Sequence, residues 1–144
     1  MLYDRPYMKA TDARPRRLGV LPWLIITQIA IFMMQNITWL FFGQEAYRDA
    51  ILEFFALSGG TIRDGKIWTV VSYGFLHDTN NILHILFNLL GLFFVGRIVA
   101  RLFGDRALLQ VFFLSTITGG LVYLSVHFGG NIYVLGASGA LMGV

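Results

Sequence analysis

Three long uncharged segments dominate the pattern of apolar and polar residues along this chain. They cover residues 18–42, 79–96 and 107–126. A helix needs about 20 apolar residues to cross the hydrocarbon core of a bilayer, so each segment predicts one membrane-spanning helix. We expect the first helix to start near Leu18, the second to cover about 81–100 and the third about 106–126.

A fourth apolar stretch, residues 132–144, is too short to cross a bilayer. It predicts the start of a fourth helix near Ser138, so we expect the membrane domain to be incomplete at its C terminus. The predicted fold is an all-α, polytopic helical bundle with three full transmembrane helices and the beginning of a fourth. Its predicted organisation is a basic segment, 1–17, followed by a membrane domain, 18–144.

The connection between the first two helices, residues 43–78, is too long to be a plain linker. Four of its apolar residues recur at helical spacing: Tyr47, Ile51, Phe54 and Leu57. The pair Gly59-Gly60 follows them as a predicted helix stop. This pattern predicts an interfacial helix on the outer membrane surface. Residues 67–77 are apolar but too few to span, so we expect them to dip into the bilayer or lie flat.

The composition agrees with a protein surrounded by lipid. Hydrophobic residues make up 56% of the chain and charged residues 13%, whereas soluble domains carry roughly 25% charge. These values exclude a disordered chain, a coiled coil and an ordinary water-soluble domain. The chain has no cysteine, which excludes disulfides, thiolate metal sites and cysteine nucleophiles. No basic face with aromatic residues is present, so we expect no nucleic-acid partner.

The distribution of charge predicts the orientation in the membrane. Five of the eleven Lys and Arg residues precede the first span, and the turn between the second and third spans carries Arg97, Arg101 and Arg106. Short loops rich in Lys and Arg stay in the cytoplasm. We therefore expect a cytoplasmic N terminus and an integral multi-pass protein of the plasma (inner) membrane.

A histidine and an asparagine on the second predicted helix are the first candidates for chemistry. Ionisable side chains within membrane helices are costly, so they usually face the protein interior or a wet cavity. His84 and Asn88 are one helical turn apart and share a face. They could direct an imidazole and a carboxamide at one point, or they could hydrogen-bond neighbouring helices. The pair alone leaves both interpretations open.

The second candidate is a serine among small residues, in the sequence Gly136-Ala-Ser138-Gly139. It follows a loop that must re-enter the membrane, where irregular backbone is tolerated only when it is buried or lines a cavity. Ser138 would then lie at a helix N terminus, which favours developing negative charge. Taken alone, the motif fits close helix packing better, because Gly139 and Gly143 also form a GxxxG pair.

Together the two motifs have the composition of a nucleophile with an oxyanion hole. On this basis the sequence resembles the rhomboid family of intramembrane serine proteases over about residues 18–144. The resemblance depends on His84-Ile-Leu-Phe-Asn88, on Gly136-Ala-Ser138-Gly139 and on the long outer loop. No phosphate-binding loop or metal-ligand cluster accompanies them, and His-x-x-x-Asn is not a zinc pattern. We therefore expect neither a cofactor nor a metal.

The resemblance implies a role for each motif residue. Ser138 would be the nucleophile, while His84, Asn88 and the backbone N–H of Ser138 would form the oxyanion hole, with Gly136 and Gly139 shaping the motif. Trp68 would belong to a partly submerged loop. The substrates would be transmembrane segments of other membrane proteins. The chain departs from the family where it has Thr69 after Trp68 and Ala100 between two glycines, positions that often carry Arg and Glu.

The resemblance also implies a general-base histidine on a sixth helix, which residues 1–144 do not contain. His127 could in principle reach Ser138 through a tight loop, but we expect it to be an interfacial anchor. We expect His77 to cap or bond its own loop. The 144-residue chain alone is therefore predicted to be inactive. Two alternatives remain: a catalytically inactive rhomboid-like protein that binds membrane-protein clients, and an unrelated membrane protein whose motifs serve packing.

Overall fold

The computed structural model describes residues 19–136 and Ser138. Three of its helices are long and apolar enough to cross a membrane, which confirms the predicted helical bundle with three full spans. The first begins as α1, Val20–Tyr47, and the other two are α5, Ile82–Phe103, and α6, Asp105–His127. The segment 1–17, Gly139 and the fourth helix after Ser138 lie outside the described residues.

Helix α1 does not end where its uncharged run ends. Gly43 breaks the helical geometry with φ 85° and ψ 176°, a conformation that residues with a Cβ rarely adopt. The chain then continues through Tyr47 into a π-helical turn, Arg48–Leu52, and into α2, Glu53–Phe55. Glycine thus permits a kink at the end of the apolar segment, and the predicted helix around Tyr47 and Ile51 follows that kink.

One detail of the predicted interfacial helix is wrong. The helix ends before Ala56, which is extended, and Gly59-Gly60 begin the next helix instead of stopping the previous one. Helix α3, Gly59–Arg63, starts from Ser58, whose hydroxyl accepts a hydrogen bond from Thr61 N–H while Thr61 Oγ1 accepts one from Ser58 N–H. This capping box supplies a helix start that outweighs the low helix propensity of two glycines.

The remainder of the connection contains only short helical turns. These are α4, Thr69–Ser72, and a 3₁₀ turn, Tyr73–Phe75, so residues 67–77 do not span a bilayer. We call residues 48–81, between α1 and α5, the interhelical segment. Its buried apolar residues pack in two clusters, one with Tyr47 of α1 and one with Leu124 of α6. The segment is therefore a packed part of the fold.

The three long helices contact one another through a third apolar cluster. Leu24 of α1, Leu92 of α5 and two α6 residues, Leu108 and Phe112, are buried together. A single residue, Gly104 with φ 87°, connects α5 to α6. Most other large apolar side chains of these helices are exposed, as expected for surfaces that face lipid.

Candidate active site

The loop that leads from α6 to Ser138 is fixed by the interhelical segment. We call residues 128–136 the serine loop. Its Val134 N–H donates to the carbonyl of Leu57 at 2.8 Å, and its Gly136 N–H donates to the carbonyl of Tyr73 at 3.0 Å. These are backbone hydrogen bonds to a buried, packed region. The position of the chain just before Ser138 is therefore set by residues more than sixty positions earlier in the sequence.

Arg63 of α3 forms hydrogen bonds with the first residues of the serine loop. Its guanidinium donates to the carbonyl of Phe128 and, at 2.9 Å, to Asn131 Oδ1. Beside it, Gly59 touches the same backbone, because a Cβ at position 59 would overlap the Phe128 carbonyl and lie 2.8 Å from the Gly130 carbonyl oxygen. Arg63 and Gly59 together bring α3 against the serine loop.

At the end of the serine loop nearest Ser138, Gly136 lies against His84 and Asn88 of α5. It is buried and has φ +112°. A Cβ there would lie 2.6 Å from His84 Nε2 and 3.5 Å from Asn88 Nδ2. The backbone conformation and the lack of space both require glycine at this position. The structure thus brings His84, Asn88 and Gly136 together.

One hydrogen bond to the His84 ring indicates which of its nitrogens carries the proton. The backbone N–H of Asp78 donates to His84 Nδ1 at 3.4 Å. A neutral imidazole has one donor and one acceptor nitrogen, so this contact favours the form with the proton on Nε2. That N–H is the atom nearest the position where a Cβ of Gly136 would be.

Asn88 contributes a second donor at the same place. Its side chain is 4% exposed, and Nδ2 has no hydrogen-bond partner among the described residues. A buried, unpaired amide costs free energy, about 1–3 kcal/mol by protein substitution data. Two N–H donors on one helix turn therefore converge beside Gly136, and such a pair can stabilise an oxygen that becomes negatively charged.

Ser138 lies on the side of the loop that faces α6. It is exposed and, together with Tyr73, Gly119 and Tyr123, lines a cavity of about 170 Å³. Burial raises the pKa of Tyr73, and its hydroxyl donates to the carbonyl of Thr116 at 2.7 Å. Over the described ranges, no hydrogen bond links Ser138 to a histidine, whereas His84 and Asn88 reach the loop two residues earlier.

The other two histidines have different surroundings. His127 is exposed, stacks on Tyr123 with ring centroids 4.6 Å apart and is not among the residues lining the Ser138 cavity. His77 is fully buried, and its backbone N–H donates to Gln35 Oε1 of α1 at 3.0 Å. Burial, with His84 nearby, lowers the pKa of His77 to about 4.

Sequence reasoning missed two residues that organise this region. These are Arg63 of α3, whose guanidinium bonds the serine loop, and Gln35 of α1. Gln35 is fully buried on α1 and bonds the backbone of His77 on both sides. The available signal was its amide, because a polar side chain in a membrane helix usually faces protein.

The described residues include no group of three or more His, Asp or Glu side chains that could hold a metal ion.

A family model of the rhomboid domain matches residues 64–144 of this chain. This match covers more than half of the sequence and includes every motif residue discussed above. The chain belongs to the rhomboid family. It is therefore a multi-pass membrane protein of a family that includes serine proteases.

Individual relatives agree with this assignment. The chain is 33% identical over 109 residues to Rhomboid-like protein 16, chloroplastic, and 30% identical over 104 residues to RHOMBOID-like protein 12, mitochondrial, both from Arabidopsis thaliana. It is 31% identical over 102 residues to the Rhomboid protease GlpG of Haemophilus influenzae. These alignments cover 76%, 72% and 70% of this rhomboid chain, but only 31%, 28% and 50% of the respective relatives.

Proposed function

We propose that this chain carries the nucleophile and the oxyanion hole of an intramembrane serine endopeptidase that cleaves transmembrane segments of other proteins. The observation that supports this most is the convergence of His84 Nε2 and Asn88 Nδ2 beside Gly136, two residues before Ser138. A structural role alone would pair the buried Asn88 amide, yet its Nδ2 has no partner among the described residues. A donor kept free in this way is suited to a transient charge.

The reaction would follow the order of other serine proteases. Ser138 Oγ attacks the scissile carbonyl while a histidine accepts its proton and later gives that proton to the leaving amine. The carbonyl oxygen becomes an oxyanion, and His84 Nε2–H, Asn88 Nδ2–H and the backbone N–H of Ser138 donate to it. Such donors stabilise the charge strongly where water is excluded, and losing one raises the barrier by about 2.7–4 kcal/mol.

The proposed base is a histidine that residues 1–144 do not contain. The chain has three histidines, and each is poorly suited to take the proton of Ser138. His84 Nδ1 already accepts the Asp78 N–H, His77 is fully buried, and His127 is exposed and stacked on Tyr123. We therefore expect the 144 residues alone to cleave no membrane substrate, and turnover by them would point to His127.

The nucleophile can be tested with a fluorophosphonate probe, which reacts covalently with an activated serine. In detergent micelles the complete enzyme is expected to be labelled, and Ser138→Ala should abolish the label. Ser125→Ala is the matched control, because Ser125 is an exposed serine of α6 whose hydroxyl donates to the Val122 carbonyl. Undiminished labelling of the Ser138→Ala protein would contradict the assignment.

A second candidate function is a catalytically inactive rhomboid-like protein that binds membrane-protein clients. One observation favours it: the chain has Thr69 after Trp68 and Ala100 between two glycines, where members of the family often carry Arg and Glu. The labelling experiment separates the two functions, because a protein that only binds clients should leave the probe unreacted at every serine.

The membrane and orientation are also part of the proposal. The basic residues before α1 and in the turn between α5 and α6 indicate a cytoplasmic N terminus. This orientation would place the serine loop and the interhelical segment on the outer side of a plasma (inner) membrane. Substrates would then be cut near the outer face.

A further inference from the structure

The fully buried Gln35 of α1 makes an unusual set of hydrogen bonds beside the proposed oxyanion hole. Its Nε2 donates to the carbonyl of His77 at 2.9 Å, and its Oε1 accepts the N–H of His77 at 3.0 Å. The second proton of Nε2 is directed at Tyr47 Oη, 3.0 Å away. Because a backbone carbonyl needs a donor and a backbone N–H needs an acceptor, this arrangement also fixes which end of the amide is nitrogen.

The carbonyl of His77 and the N–H of Asp78 belong to the same peptide group. A peptide group is planar, with its C=O and N–H pointing in opposite directions. At one end of this peptide group, Gln35 Nε2 donates to the His77 carbonyl oxygen at 2.9 Å. At the other end, the Asp78 N–H donates to His84 Nδ1 at 3.4 Å. The orientation of one peptide therefore connects the Gln35 amide to the His84 ring.

The N–H of Asp78 favours one of the two neutral forms of the His84 ring. With that N–H directed at Nδ1, the imidazole proton lies on Nε2, which is the nitrogen facing Gly136. If the peptide rotated, Nδ1 could carry the proton and Nε2 would present a lone pair to the oxyanion, which repels it. A hydrogen bond to the carbonyl end also polarises the same peptide and strengthens its N–H as a donor.

We propose that Gln35 is a positioning residue that keeps His84 in its Nε2–H form. This inference rests on the proposed function, in which His84 is an oxyanion donor. Gln35 touches neither Ser138 nor the oxyanion site, and it acts through the peptide between His77 and Asp78. The spanning helix α1 thereby contributes to the site through a polar residue that lies ten positions before the next charged residue, Glu45.

The structure supplies a matched control in Gln28. It lies on the same helix, seven residues before Gln35, and is also fully buried. Neither side-chain atom of Gln28 has a hydrogen-bond partner within the described residues. Replacing either glutamine by methionine keeps a similar volume and removes the amide, but only Gln35→Met removes the bonds to His77.

The test measures the His84 tautomer directly by ¹⁵N NMR of the 144-residue chain in detergent micelles. Ring ¹⁵N shifts distinguish a protonated from an unprotonated nitrogen, and with three histidines in the chain the His84→Gln spectrum assigns the signal. We expect the unsubstituted chain and Gln28→Met to show Nε2–H, and Gln35→Met to show a mixture with Nδ1–H. An unchanged single tautomer in Gln35→Met, or the same mixture in Gln28→Met, would overturn the proposal.

A second variant and a kinetic measurement keep the proposal testable if Gln35→Met does not fold. If Gln35→Met fails to fold, Gln35→Asn keeps an amide that is one methylene too short to reach both atoms of His77, and the same mixture is expected. In the complete enzyme, Gln35→Met should lower kcat about tenfold with KM unchanged, which is less than the loss caused by removing a donor outright. An unchanged kcat would contradict the positioning role.

The outcome of this test is separable from that of the proposed function. The NMR measurement involves neither Ser138 nor a substrate, so a tautomer change in Gln35→Met supports the positioning role even if no serine is labelled. Conversely, Ser138 could be labelled while the His84 tautomer stays unchanged in Gln35→Met. That result would support the protease and overturn the positioning role of Gln35.

Discussion

Three buried hydroxyl groups of the interhelical segment differ in their hydrogen bonding from two buried amides of the spanning helices. In the segment, the buried Ser58, Thr61 and Thr69 all hydrogen-bond nearby residues of the segment itself. In the spanning helices, Asn88 and Gln28 are buried with side-chain atoms that have no partner among the described residues. The hydroxyl groups of the segment thus stabilise its backbone, whereas the unpaired Asn88 amide lies beside Gly136, where the proposed oxyanion would accept its hydrogen bond.

The substitution with the largest expected effect removes the contact between the segment and the serine loop. Gly59→Val would place side-chain atoms on the backbone of Phe128 and Gly130, and backbone cannot move away as a flexible side chain can. We expect a loss of about 4–5 kcal/mol in unfolding free energy, which is exceptional for one substitution. Thermal unfolding in detergent micelles measures it.

Gly129→Val is the control for this experiment. No atom lies within 4 Å of a Cβ at position 129, so this variant should unfold within about 0.5 kcal/mol of the unsubstituted protein. Equal stability of the two variants would show that the segment does not hold the serine loop.

The next largest expected effect concerns a buried amide of the spanning helix α5. Asn88→Leu replaces a buried amide of a span by an apolar group of similar size, so we expect little loss of stability because no hydrogen bond to Nδ2 is broken in the described structure. In the complete enzyme, kcat should fall 10²–10³-fold, equivalent to about 2.7–4 kcal/mol. Kinetics and thermal unfolding are measured on the same sample. A variant that unfolds readily but keeps its kcat would reverse the comparison.

The third effect concerns His77, at the boundary of the two regions. Its pKa is lowered to about 4 in the folded protein, whereas an unfolded histidine has a pKa near 6.5. Between these values the unfolded chain binds the additional proton, so stability is full above pH 6.5 and falls as the pH drops toward 4. The total loss is about 3 kcal/mol, since each pKa unit corresponds to about 1.4 kcal/mol.

This pH dependence can be checked by unfolding the protein at a series of pH values in that range. His77→Phe retains an aromatic ring beside Phe32 and His84 but has no proton to gain, so its unfolding free energy should lose this component. His127→Gln, at an exposed position, should retain it. A slope that survives in His77→Phe would assign the acid sensitivity to another group.

The three spanning helices could be predicted from the sequence because a bilayer offers no hydrogen-bond partners to the backbone. A run of uncharged residues must form its own hydrogen bonds in a bilayer, and only a helix does so within one segment. The same rule explains why the spans near residues 81–100 and 106–126 agree with the structure to within a few residues. His84 and Asn88 could also be singled out from the sequence, because polar side chains are rare in an apolar helix.

The connections could not be predicted in the same way. Gly59-Gly60 has the local signature of a helix stop, yet it starts a helix, because the Ser58 cap and contact with Phe128 decide its role. The contribution of Arg63 depends on a partner loop 65 residues away, and no local pattern carries that information. Gln35 has the same property, since its role depends on a peptide 42 residues later.

The bonds from the serine loop to Leu57 and Tyr73 also have a consequence for the order of assembly. Both acceptor carbonyls precede the loop in the chain, and synthesis proceeds from the N terminus. The interhelical segment and the His84 and Asn88 donors of α5 are therefore made before Ser138 leaves the ribosome. Ser138, the proposed nucleophile, is therefore synthesised after the backbone groups that position its loop.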